Sequence, residues 1–133
     1  MKKLLLILAF IFSFSAINAQ VYRYKANSFA IRYINDYGYW TNWSAWQSCD
    51  VTFTIDFDND VIRIYSRTPQ VYVVTKYVGN YSDYLGGKQT EFKVIDQDYD
   101  PGTIRIRIEP NGSSQLYVDF ADVSWVYGNV VKY

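Results

Sequence analysis

From Val21 onward, apolar and polar residues alternate in short runs, and turn-forming residues interrupt them at near-regular intervals. A period of two places every second side chain on one face of a strand, and no window carries the 3.6-residue period of a helix. Val, Ile, Tyr, Phe, Trp and Thr fill the runs, and these side chains suit a pleated, half-buried surface. The chain is therefore expected to be all-β. The punctuation falls at DFDND (56–60), SRTP (66–69), VGNYSDYLGGK (78–88), DQDYDPG (96–102), PNGSS (110–114) and Ala121-Asp122. It predicts strands over 21–34, 47–57, 60–66, 70–78, 89–96, 103–109, 115–120 and 123–132.

Aligning the apolar faces of neighbouring strands predicts registers. Ile55 is expected opposite Ile62 and Phe53 opposite Ile64, around a two-residue type I′ turn at Asp58-Asn59. Ile64 is then expected opposite Val71 and Ile62 opposite Val73, which turns Tyr65 and Tyr72 outward. In the later hairpin the expectation is Ile108 opposite Leu116, Ile106 opposite Val118 and Ile104 opposite Phe120, closing on Asn111-Gly112-Ser113. That register sets Arg105 against Asp119 and Arg107 against Tyr117 on the outer face. A weak internal repeat, IDFDND…IRI…QVYV against IDQDYD…IRI…QLYV, pairs two three-stranded meanders. About eight antiparallel strands in one up-and-down meander tend to close into a barrel, which removes exposed edges. A two-sheet sandwich of the same hairpins is the alternative.

The first nineteen residues read differently. Lys2 and Lys3 precede an apolar run, Leu4 to Phe14, and a small polar tail ending at Ala19. This is the layout of a secretory signal peptide cleaved near Ala19, so the protein is expected to be secreted or periplasmic. Residues 20–133 are expected to form a single β domain with no transmembrane span. Removing 19 of 133 residues leaves 114, and losing Lys2 and Lys3 leaves 11 basic against 13 acidic residues, a net charge of −2. That balance offers no electrostatic footprint for nucleic acid.

There is no histidine, which removes the commonest general base and zinc ligand together. No nucleophile motif, phosphate loop or dinucleotide fingerprint occurs, so neither catalysis nor a cofactor is expected. Cys49 is the only cysteine, expected as a small buried hydrophobe. Asp96, Asp98 and Asp100 form a weak calcium candidate, the other reading being a capped turn. The N-x-Ser/Thr triplets at Asn42, Asn80 and Asn111 are read as chance products of polar loops.

The remaining signal is aromatic, with 14 Tyr and 4 Trp. YGYWTNWSAW (37–46) spaces Trp40, Trp43 and Trp46 by three. Extending the inward set Val51, Phe53 and Ile55 backwards points Trp43 into the core and Trp40 and Trp46 outward, near the rim. Trp40, Trp46, Tyr37, Tyr39, Tyr81 and Tyr84 are thus the candidate ligand-binding residues, rings that stack on a sugar or another flat ligand.

Trp40-x-x-Trp43-Ser44-x-Trp46-x-x-Cys49 resembles the opening of a thrombospondin type 1 repeat, in which Trp and Arg side chains stack in place of a core. That family needs several disulfides, and one Cys supplies none, so the likeness stops at about ten residues. The eight-strand meander is similar in outline to lipocalin-like and avidin-like barrels, and the whole chain resembles small exported bacterial β-barrel proteins of unknown function. The resemblance implies a small ligand held at the barrel mouth. The expected function is an exported non-catalytic binding module for a glycan or small amphipathic molecule. The alternative is a structural or protein-interaction protein, which a fully packed interior would favour.

Overall fold

The computed structural model describes residues 21–133, so the expected signal peptide lies outside the described residues. The strands are β1 (Val21–Tyr33), β2 (Gln47–Asp56), β3 (Val61–Tyr65), β4 (Gln70–Ser82), β5 (Lys88–Ile95), β6 (Pro101–Ile108), β7 (Ser114–Asp119), β8 (Val123–Gly128) and β9 (Val131–Lys132). Each strand from β1 to β8 pairs antiparallel with the next, and β8 returns to β1, closing an eight-stranded up-and-down barrel. A bulge between Ala26 and Ser28 lets β1 follow β2 with its first half and β8 with its second. The expected last strand breaks after Gly128, and β9 resumes its line along Tyr24 and Lys25.

Four of the turns repeat one design. At Asn35–Tyr39, Asp83–Gly87, Asp96–Asp100 and Glu109–Ser113, the first N–H donates to the fifth carbonyl and the fourth N–H donates to the first carbonyl. The fourth residue always has positive φ: 82° at Gly38, 85° at Gly86, 64° at Tyr99 and 91° at Gly112. This is a type I turn followed by a left-handed bulge residue. Asn35, Asp83 and Asp96 also accept two of the turn's own N–H groups through one side-chain oxygen. These short polar residues therefore sit where the backbone needs an acceptor.

The turns decide the registers. Ile55 faces Ile62 and Phe53 faces Ile64, as the alternation predicts. The loop is nonetheless four residues, Phe57 to Asp60, with positive φ only at Asp60, so it is not type I′. In the next hairpin Ile64 faces Gln70 and Ile62 faces Tyr72. The loop occupies all of Ser66–Pro69, with the Ser66 hydroxyl donating to the Thr68 carbonyl, and this one-residue difference exchanges the two faces of β4. Tyr72, expected outside, is inside at 3% exposure. In the later hairpin the faces are as predicted but the partners slide by two: Ile104 faces Val118, Ile106 faces Leu116 and Arg105 faces Tyr117. The turn there needs five residues, not three. The expected long loop 78–88 is mostly strand, because bulges near Thr75 and Val78 let β4 run on to Ser82.

The barrel centre is filled by Phe53, Ile62, Ile64, Ile104, Leu116 and Val118, all inaccessible to solvent. Each such side chain contributes about 1.5–3 kcal/mol on burial. Tyr22, Phe57, Phe92 and Tyr77 close the end that carries the 57–60 and 83–87 turns, with ring centroids 5.6–6.2 Å apart. The opposite end, towards the 66–69 and 96–100 loops, stays open.

Candidate functional site

The open end is a cup of about 680 Å³ set above the packed centre. Once Ser66–Pro69 places Gln70 and Tyr72 inward, β4 supplies an amide and a phenol to the cup wall. β8 supplies Trp125 and Tyr127, and β1 supplies Phe29. Phe29 and Tyr127 lie 5.7 Å apart, and Phe120 stacks on Trp125 at 5.8 Å. Gly102 leaves the space that the Phe120 ring fills.

The polar groups form a chain. The Tyr72 hydroxyl donates to Gln70 Oε1, and Gln70 Nε2 donates to the Tyr127 hydroxyl at 3.1 Å and to Ser66 Oγ at 3.0 Å. Trp125 Nε1 lies close to Tyr127, yet it is buried without a hydrogen bond of good geometry among the described residues. Burial, with the nearby Tyr127 and Asp96, pushes the Tyr72 phenol far above its ordinary range, and burial raises Tyr127 too. Both remain neutral donors throughout the physiological range. Cys49 lines the same cup, half-buried rather than sealed in the core, its thiol held protonated by burial and by Asp50. An apolar, ring-lined hollow with a few fixed polar groups is the usual composition of a small-ligand site.

The tryptophan segment lies elsewhere, on the outer wall. Thr41 N–H donates to the Tyr33 carbonyl and Ser44 N–H to the Ile31 carbonyl, so three residues of the segment span two of β1. The segment is extended but not strand, and a three-residue period returns side chains to one side, as in polyproline II. Trp43 is therefore outside at 36% exposure, not in the core as expected. The Arg32 guanidinium stacks between Trp40 and Trp43, at 4.5 and 4.7 Å from their ring centroids. The column continues edge-on from Trp43 to Tyr117 at 6.0 Å, and Arg105 covers the Tyr117 ring at 4.3 Å. Trp46, 56% exposed, packs over Gly128.

The other expected site residues are not brought together. Tyr37 and Tyr39 sit exposed on the Asn35–Tyr39 turn at the open end. Tyr84 is on the Asp83–Gly87 turn at the closed end, 95% exposed. Tyr81 belongs to β4, not to a flexible loop, and donates to Glu91 at 2.8 Å. The carboxylates of Asp96, Asp98 and Asp100 gather within 4.8 Å of one another, while one oxygen of Asp96 caps the turn at 2.8 and 2.9 Å. Both readings of that trio stand as the sequence left them.

Phe29, Gln70, Tyr72, Trp125 and Tyr127 were not legible as a site. The W-x-Y spacing of Trp125 and Tyr127 is a one-face signal, but Gln70 and Tyr72 join it only once the length of the 66–69 loop is known. Comparisons with family models, curated proteins and solved structures find no match for this chain.

Proposed function

We propose that the protein is an exported, non-catalytic binding module that holds a small amphipathic molecule or a glycan fragment in the open cup. The observation that carries this reading is the polarity of the barrel. One end is plugged by aromatic rings, the centre is packed, and the other end opens into a hollow of about 680 Å³ with a hydrogen-bonded Gln70–Tyr72–Tyr127 chain. The packed centre counts against a ligand deep in the interior, so only one end of a ligand is seated. Outward Arg105, Arg107 and Asp83 against an apolar inside reverse the pattern of a lipid-facing barrel.

A thermal-shift screen of oligosaccharides and neutral amphiphiles tests this, since a ligand that binds only the folded state raises Tm. A hit is expected to stabilise the wild type and not Gln70→Leu. Absence of any hit, or hits indifferent to Gln70→Leu, would overturn it.

The packed interior supports a second reading, a protein partner met at the open end by exposed rings such as Tyr37 and Tyr39. On that reading, changing those rings abolishes partner capture and Gln70→Leu does not.

A further inference from the structure

Of the guanidinium groups of Arg32, Arg105 and Arg107 on the outer wall, two are neutralised by carboxylates. Arg105 donates from Nε to Asp119 at 2.6 Å and to Gln89 at 3.1 Å. Arg107 donates to Asp83 at 2.8 Å and to Glu109 at 3.0 Å. Arg32 differs. Both its faces are covered by indoles, its Nε is buried without an acceptor, and it makes no ion pair or hydrogen bond with any described residue. A guanidinium that has lost water from its faces and found no acceptor at its edge is an incomplete arrangement. Its side chain is only half-buried, so an acceptor from outside can reach the remaining N–H groups.

We infer that the Trp40–Arg32–Trp43 sandwich is a second binding site, for the carboxylate or sulfate of an acidic sugar. Two oxygens of such a group match the guanidinium fork, and the two indoles within 4.5 and 4.7 Å of its carbon narrow the directions from which they can arrive. The sugar ring that carries the group meets indole, because Trp40 and Trp43 flank the fork and each is more than a third exposed. A single oxyanion is the fit, because Arg105, the next guanidinium along the column, is already paired with Asp119. The site is separate from the cup and does not depend on it.

Tryptophan emission of the full mature chain is titrated with trigalacturonate for the carboxylate, a monosulfated glucose for the sulfate, maltotriose as neutral control and inorganic sulfate as the bare ion. Saturable quenching by either acidic sugar, not by maltotriose, and weaker at high salt, is the expected result. Quenching by inorganic sulfate alone, or equally by maltotriose, overturns the assignment. Arg32→Lys and Arg32→Gln are each expected to weaken binding about tenfold or more, since lysine keeps the charge but not the fork; unchanged affinity in both overturns it. Should neither variant fold, Trp40→Phe keeps a stacking ring but removes an indole, so the quench must shrink, and an undiminished quench overturns the proposal. Gln70→Leu is expected to leave every one of these titrations unchanged.

Discussion

Tyr99 stands where three sibling turns place glycine, at a φ of 64°. A side chain in the left-handed region costs about 1–2 kcal/mol, partly offset by the extra freedom glycine has when unfolded. Tyr99→Gly is thus expected to raise stability by about 0.5–1 kcal/mol and Tm by a few degrees. Gly112→Ala, at the equivalent position with open space around it, is expected to do the reverse. Thermal melts of the two variants beside the wild type check both signs. A second residue contributes to the acid response. Hydrogen bonds from Arg107, then Gln89 and the Gly87 N–H, hold the Asp83 carboxyl well below the usual carboxylate range. A depressed folded pKa contributes stability that is present above the unfolded value, about 4, and is lost as pH falls towards the folded one. Asp83→Asn is therefore expected to be less stable at neutral pH, yet to lose less further stability below about pH 4. Acid titration of the two proteins by circular dichroism reads the difference. An equal acid loss in both would contradict it.

At the scale of elements, the tryptophan segment behaves as a strap on the barrel wall. Its spacing by three was plain in the sequence, but its side could not be read, because strand periodicity was extended into a stretch that is not strand. The backbone bonds of Thr41 and Ser44 to β1, three residues against two, make the difference. Gly128 is the seat of Trp46: an added Cβ would lie 2.5 Å from Ser28 Oγ and 3.0 Å from the indole. Gly128→Val is expected to lift Trp46, red-shift the emission and speed amide exchange at Thr41 and Ser44, leaving β2 to β7 protected. The hairpins teach a related lesson. Alternation correctly gave Ile55 opposite Ile62 and the inward faces of β6 and β7, because parity is a property of the strand. Loop length is a property of turn chemistry, and pairing Ile64 with Gln70 rather than Val71 leaves one residue fewer between the partners than expected. That was enough to carry Tyr72 from the wall into the barrel and to hide the cup.

The whole molecule is a barrel with a closed end, a packed middle and an open end, and each part answers differently to change. Leu116→Ala in the middle is expected to cost about 2–5 kcal/mol by cavity formation, read as a lower denaturant midpoint. The fold class and most strands were legible because closure needs only alternation and punctuation. The open end was not, because it depends on which face of β4 the 66–69 loop turns inward. The central claim is that this open end receives the ligand, and Cys49, the single thiol, lines it. The direct measurement is a titration with Nile red, a neutral amphipathic dye, before and after alkylation of Cys49. Saturable one-to-one binding that is abolished by alkylation, with an unchanged circular dichroism spectrum, is the predicted result. Absence of saturable binding, or binding indifferent to the state of Cys49, would contradict the account.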